Sequence, residues 1–213
     1  MKLARIVAEP FLYLILSIPV IGTAQEQAPA RIPLVSSDTD DPVLKPIFDD
    51  IKSRGSEPSY MHRTIGNAPE IFRAFAGVAW AIRQDAILPR VDREIIILRA
   101  TQLENGDYEF AAHTGMALSC GLTEEQINSL ENWQTSNLYT DRQRAILAYA
   151  DGLASPDSVD EETFNNIQNF FNAREIVELT ITANFYTAAA RNTNALHVQK
   201  DPDSGQSRYG KCG

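Results

Sequence analysis

Apolar side chains recur at helical spacing through most of this chain, and no segment alternates apolar and polar residues for long. Ile71, Phe75, Val78 and Ile82 follow one face of a helix, and apolar residues recur at every fourth position of residues 43–51. Such periodicity predicts amphipathic helices, whereas a half-buried strand would require strict alternation. We therefore expect an all-α protein.

Helix start signals extend this prediction towards the C-terminus. A capping box places Ser, Thr or Asn just before a helix and Glu or Gln three residues later. The pattern occurs at Thr123–Gln126, at Thr140–Gln143 and at Asn172–Glu175. The last of these opens the longest predicted helix, from Ala173 to about His197.

Two further helices are expected between residues 93 and 119. Residues 93–103 contain the apolar run Ile95-Ile-Ile-Leu98, which could form a buried strand. The length of the segment and its polar flanks favour a buried helix instead. Residues 107–119 continue as a helix, and Gly121 is a suitable C-terminal cap. In total, about seven to nine helices should form one domain over residues 42–198.

The two ends of the chain differ from this domain. Residues 1–24 begin with the basic residues Lys2 and Arg5, continue with a short apolar run and end in small residues that suit a cleavage site. This is the pattern of a secretory signal peptide. A buried N-terminal helix or a retained anchor is the alternative. Residues 25–41 have the composition of a linker, and residues 199–213 that of a tail that is flexible or lies on the protein surface. We expect a periplasmic or secreted protein that has no membrane segment after cleavage.

Composition excludes several classes of function. The formal net charge is −9, which is unfavourable for coating nucleic acid or anionic lipid. Two cysteines, Cys120 and Cys212, are too few for a disulfide scaffold or a zinc ribbon. With only three histidines and no metal-binding spacing among them, no metal site is expected.

Glu109 and His113 are the residues with the clearest catalytic potential. They are four positions apart, so they share one face of the predicted helix. A carboxylate beside an imidazole fixes its tautomer and raises its basicity, which makes the pair a candidate general acid and base. The alternative is a surface ion pair without catalytic meaning.

Glu94 is the second carboxylate of interest, because it begins a strongly apolar helix. It could lie in a solvent-exposed first turn, where acids are favoured, or be paired inside a pocket. Arg93, Arg99 and Arg191 are candidates for binding a substrate carboxylate, since guanidinium binds carboxylate through two hydrogen bonds. A structural salt bridge is the alternative for each.

Three segments resemble the carboxymuconolactone decarboxylase family, whose superfamily also contains the alkyl hydroperoxidase D proteins. They are Arg93-Glu-Ile-Ile-Ile-Leu98, Asn105-Gly-Asp-Tyr-Glu-Phe-Ala-Ala-His113 and the stretch 117–127. Residues 60–71 and 184–196 resemble flanking helices of that family. The resemblance implies an all-α fold with a central helical hairpin, assembled as trimers or hexamers.

The resemblance also separates two branches of that superfamily. The peroxidase branch carries CxxCxxxH, and the two cysteine positions fall here on Gly106 and Glu109. Without those thiols the dithiol reaction has no nucleophile or resolving partner. The decarboxylase branch instead places a glutamate four residues before the histidine, as Glu109 and His113 do here.

The resemblance implies a cofactor-independent decarboxylase, or a related enolate-handling lyase or isomerase, acting on a small carboxylated lactone or keto acid. Glu94, Glu109 and His113 would be catalytic, with Glu109 orienting His113 as proton donor. The expected substrate-binding residues are Arg93, Tyr108, Cys120, Asn184 and Arg191. The alternatives are a thiol-dependent peroxidase that uses Cys120 and a non-catalytic oligomeric binding protein.

Overall fold

A computed structural model describes residues 29–205 and residue 212 of the 213-residue chain. The predicted signal peptide, residues 1–24, lies outside the described residues. Throughout the described part the regular elements are helical, which confirms the expected all-α class. The helices are α1 (Leu44–Ser53), α2 (Tyr60–Ile65), α3 (Pro69–Gln84), α4 (Arg90–Leu103), α5 (Asp107–Ser119), α6 (Glu124–Asn128), α7 (Asp141–Ala154), α8 (Glu161–Gln168) and α9 (Ala173–Leu196), with a 3-10 turn at Leu130–Asn132.

Helix α4 forms the centre of the molecule. It packs against α5, α7 and α9, and every residue from 92 to 101 is buried. Ile95, Ile96 and Leu98 lie in a core with apolar residues of α7 and α9, among them Ile146 and Leu179. The apolar run is stable as a helix only when neighbouring helices surround it, which explains why this segment is a buried helix.

Helices α4 and α5 form the expected central hairpin through a turn at Glu104–Gly106. Asn105 adopts a left-handed conformation with φ 51°, and Gly106 N–H donates to the Thr101 carbonyl at 2.8 Å. A Cβ atom on Gly106 would lie only 2.5 Å from Cβ of Ala190 in α9. Glycine is therefore required here by close packing.

All three predicted capping boxes are present, at Thr123, Thr140 and Asn172. Gly121 follows α5 with φ 97°, as a C-terminal glycine cap would. Helix α8 lacks a capping box, although Asp160 caps it by accepting the Thr163 N–H, and only Ile167 of its residues is buried. It is held by packing against α7 and α9.

The segments on either side of the domain lie against it. Within the predicted linker, Val35 N–H donates to the Arg63 carbonyl at 3.0 Å, and Arg31 N–H donates to the Leu196 carbonyl at 3.1 Å. Beyond α9, Asp201 is only 6% exposed, although the surrounding sequence is polar. Among the described helices, none has both the length and the apolar character that a bilayer crossing requires.

Candidate active site

The first turns of α4 and the middle of α5 bring Glu94 and His113 together. Glu94 Oε2 lies 2.8 Å from His113 Nδ1, and the two side chains are about 3% and 4% exposed. Glu94 Oε1 also accepts a hydrogen bond from Arg90 Nε at 3.2 Å. Of the two environments expected for Glu94, the structure therefore has the paired, buried one.

Charge pairing determines the ionisation of Glu94. Burial raises its pKa, but His113 and Arg90 outweigh burial and bring the pKa below the ordinary value for a glutamate. Glu94 is thus a carboxylate, and it accepts the proton on Nδ1 of His113. The second ring nitrogen, Nε2, is left to face Glu109.

Glu109 lies one helical turn before His113 and is 2% exposed. Its Oε2 is 3.9 Å from His113 Nε2, and its buried Oε1 has no hydrogen-bond partner among the described residues. Burial raises the pKa of Glu109 to about 6, against the opposing effects of His113 and Arg83. Glu109 can therefore gain or lose a proton near neutral pH, which suits a general acid or base.

These contacts correct one expected role. The sequence suggested that Glu109 orients His113, because the two residues share a helix face. The short hydrogen bond that fixes the imidazole comes instead from Glu94, across the hairpin. Glu109 lies on the other side of the ring, where it can exchange a proton.

His113 and Glu109 line a cavity of about 50 Å³ enclosed by α2, α3, α5 and α9. Its walls are largely apolar, and the ring of Tyr186 in α9 packs edge-on against His113 with centroids 4.5 Å apart. Low polarity around a titratable pair strengthens its electrostatic interactions. The volume is well below the roughly 300 Å³ of a typical small-molecule pocket, so only part of a substrate fits inside the cavity as it stands.

Tyr108 also lines this cavity, next to Glu109. Its hydroxyl donates to Asp201 Oδ2 and accepts the Met61 backbone N–H at 3.2 Å. Burial, and then the charge of Asp201, raise the pKa of Tyr108 well above its ordinary value. The phenol is therefore neutral at physiological pH.

The other expected substrate-binding residues lie away from the cavity wall. Arg93 is buried and donates to the Ile82 and Arg83 carbonyls at the end of α3. Arg191 is exposed and makes a bidentate ion pair with Glu104. Its Nε and Nη2 atoms each donate to one carboxylate oxygen at 2.8 Å. Asn184 is exposed on α9. These three residues remain only predictions as substrate contacts.

Cys120, the fifth candidate, ends α5 and forms a disulfide with Cys212. These are the chain's only cysteines, so the protein contains no thiol in this state. Gly106 and Glu109 stand at the two thiol positions of the peroxidase branch. A side chain at the first would collide with Ala190.

Three contributors to the site were missed by sequence reasoning. Arg83 of α3 is a guanidinium at the cavity wall, and no local pattern distinguishes it from Arg73, the other arginine of that helix. Arg90 precedes Glu94 by four residues, so helix spacing could have revealed it. Asp201 comes from the tail, where the sequence carries no signal for burial.

No cluster of three or more His, Cys, Asp and Glu side chains able to hold a metal occurs within residues 29–205 and 212.

Comparison with known proteins agrees with this architecture. A peroxidase-related protein from Ralstonia eutropha JMP134, described as an alkylhydroperoxidase AhpD core, superposes with a TM-score of 0.72 at 19% identity, over 85% of this chain and 97% of the other. The debrominase Bmp8 gives a TM-score of 0.67 at 22% identity, over 81% and 92%. At such identities the likeness establishes the fold alone.

Sequence comparison finds similarity over part of the chain. The uncharacterized protein YdfG of Bacillus subtilis (strain 168) is 24% identical over 119 residues, which is 55% of this chain and 80% of that protein. Residues 69–152 match the model of the carboxymuconolactone decarboxylase family. This segment spans α3, the α4–α5 hairpin and most of α7, and it contains Glu94, Glu109 and His113. Over this segment the chain is similar to the carboxymuconolactone decarboxylase family, and its helical fold is that of the AhpD-like proteins.

Proposed function

We propose that the protein is a cofactor-independent acid–base enzyme, a decarboxylase or a related enolate-handling lyase or isomerase. Its substrate would be a small carboxylated lactone or keto acid. The observation that carries this proposal is the buried array Glu94–His113–Glu109, in which Glu94 fixes one imidazole nitrogen and Glu109 faces the other.

In the proposed reaction the bond between the substrate's carboxylate and its neighbouring carbon breaks, and CO₂ leaves. The bonding electrons pass into the adjacent carbonyl and form an enolate. One proton shared by Glu109 and His113 is then delivered to the carbon, and solvent returns a proton to the pair. Positioned acids of this kind contribute about 10²–10⁴-fold in rate.

Arg83 supports the choice of an anionic substrate. The chain has a net charge of −9, so an anion approaches against the overall field. Arg83 places a positive group on the cavity wall, close enough to Glu109 to lower its pKa. We propose that it attracts the substrate carboxylate or the developing enolate, the role first expected of Arg93 or Arg191.

The alternatives find less support. A peroxidase that uses Cys120 requires a thiolate, and Cys120 is bonded to Cys212. A non-catalytic binding protein would have no need for a buried carboxylate beside a histidine with one oxygen, Glu109 Oε1, lacking a hydrogen bond, because such a group is costly to keep. A debrominase shares the fold, so bromide release belongs among the assays.

The function is tested by incubating the protein in D₂O with a panel of carboxylated lactones and β-keto acids. The expected result is CO₂ release together with one deuterium on the carbon that lost the carboxylate. Bromide release from a brominated aromatic, or tight binding of a panel member without turnover, would contradict the proposal.

We also propose export and self-association. A disulfide persists in oxidising compartments, so the Cys120–Cys212 bond supports a periplasmic or secreted location. Val78, Val177 and Ile181 expose apolar side chains around a groove between α3 and α9, which supports assembly as a trimer or hexamer. Cell fractionation and sedimentation velocity test the two points, and a cytoplasmic or monomeric protein would contradict them.

A further inference from the structure

Asp201 is a buried acid in a segment that the sequence marks as a polar tail. It follows the last helix, lies outside the family-matched residues 69–152 and is 6% exposed. A buried carboxylate is costly unless hydrogen bonds replace its lost water. The partners of Asp201 therefore indicate what holds it in place.

Those partners belong to two other parts of the fold. Asp201 Oδ1 accepts the Tyr60 backbone N–H, the first of α2, at 2.7 Å. Asp201 Oδ2 accepts the hydroxyl proton of Tyr108 in the first turn of α5. One side chain thus joins the C-terminal segment, α2 and α5.

Both contacts act on the walls of the cavity. The Tyr108 proton points to Asp201 and a lone pair on the same oxygen receives the Met61 N–H, so the direction of the hydroxyl is fixed. The first turn of α2, including its N-cap Ser59, supplies a second wall with Met61 and His62. Loss of the Asp201 carboxylate would release both walls.

Asp201 also influences Glu109 through its charge. The groups that face Glu109 are His113 and Tyr108 from α5, Arg83 from α3, His62 from α2, Tyr186 from α9 and Asp201 itself. After burial, and against His113 and Arg83, the negative charge of Asp201 contributes to raising the pKa of Glu109.

We propose that Asp201 is a positioning residue of the site, which fixes the Tyr108 hydroxyl and the first turn of α2 against the cavity that contains Glu109 and His113. It acts through Tyr108 and α2, without touching the substrate. The inference deepens the proposed function and rests on it in so far as the cavity is catalytic.

The test follows the ionisation of Glu109 in the full-length protein without substrate. Infrared spectroscopy detects the carbonyl stretch of a protonated carboxyl group, and the Glu109→Gln variant identifies the band. Asp201→Asn should shift the midpoint of this band to lower pH, since it releases Tyr108 and the first turn of α2, which admits water to Glu109, and it removes a nearby negative charge. Asp203→Asn, two residues along the same segment, is the matched control and should leave the midpoint in place.

A second variant covers the case in which Asp201→Asn fails to fold. Asp201→Glu keeps the charge and the acceptor atoms, so its midpoint should stay near that of the wild type. A lowered midpoint in Asp201→Glu, or equal midpoints in Asp201→Asn and the wild type, would overturn the inference. Because no substrate is present, an unshifted midpoint bears on Asp201 alone, whereas absent CO₂ release bears on the proposed function.

Discussion

Glu94 Oε2 lies 2.8 Å from Nδ1 of His113, on opposite arms of the α4–α5 hairpin, and neither side chain is more than 4% exposed. Because this hydrogen bond is short and the two side chains are buried from water, the imidazole is held in one tautomer and one orientation. This contact makes the opposite nitrogen available to Glu109. The chemical proposal depends on it.

Removal of the Glu94 charge should destabilise the protein strongly. Glu94→Gln leaves Arg90 and His113 without their buried anionic partner, and loss of one member of a buried pair costs about 3–5 kcal/mol. The free energy of unfolding in urea measures the effect. Glu125→Gln, an equivalent change on an exposed site, should leave it close to the wild-type value. A loss below about 1 kcal/mol in Glu94→Gln would show that the contact is weak.

The raised pKa of Glu109 predicts a pH-dependent penalty on stability. The native carboxyl binds its proton up to about pH 6, whereas its ordinary value is 4.5, so the native state loses stability as pH rises between these values. The difference corresponds to about 2 kcal/mol at pH 7. Glu109→Gln, which imitates the neutral acid, should therefore be more stable than the wild type at pH 7, and this advantage should vanish near pH 4. A difference in unfolding free energy that does not change with pH would contradict the shifted pKa.

The same ionisation should appear in catalysis. If the pair of Glu109 and His113 donates the proton to carbon, kcat/KM should fall as pH rises through about 6. Interacting groups titrate as a unit, so the observed midpoint belongs to the pair. If kcat/KM instead rises with pH and levels off above pH 7, the pair acts as a base and not as an acid.

The disulfide should contribute substantially to stability. Cys120 and Cys212 are 92 residues apart in sequence, and closing a loop of this length stabilises by about 4–5 kcal/mol in the chain-entropy description. Reduction should lower the urea midpoint of the wild type and leave the double variant Cys120→Ser/Cys212→Ser unaffected. Thiol titration of the native oxidised protein should find no reactive cysteine. A reactive Cys120 would contradict the disulfide and favour the alternative of a peroxidase that uses this thiol.

Gly106 should not accept a side chain. Gly106→Ala would place Cβ 2.5 Å from Cβ of Ala190, and overpacking of this kind costs about 1–3 kcal/mol. Ala190→Gly should rescue part of that loss, although glycine inside a helix costs about 1 kcal/mol by itself. Strictly additive losses in the double variant would mean that the two residues do not collide.

Sequence reasoning recovered the parts of the fold that local patterns encode. The capping boxes at Thr123, Thr140 and Asn172 are satisfied by atoms within three residues, so a single stretch of sequence contains the information. Helix α8 was missed because its polar face dominates and only Ile167 is buried. Its presence depends on packing against α7 and α9.

The site was recovered to the extent that it is built from the hairpin. Glu109 and His113 share a helix face, and Glu94 lies in a segment that resembles the family, so all three could be named before the structure. Which carboxylate orients the imidazole depends on the packing of α4 on α5, which spacing alone does not determine. Asp201 reaches the site across 93 residues from Tyr108, and no periodicity links two residues at that distance.

We propose above that Glu109 and His113 carry the proton in a decarboxylation. The most direct test is the rate of CO₂ release from the best substrate of the panel, measured for the wild type, His113→Ala, Glu109→Gln and the exposed-site control Glu125→Gln. We expect losses of about 10²-fold or more in the first two variants and an unchanged rate in the control. Turnover that survives both His113→Ala and Glu109→Gln would contradict it.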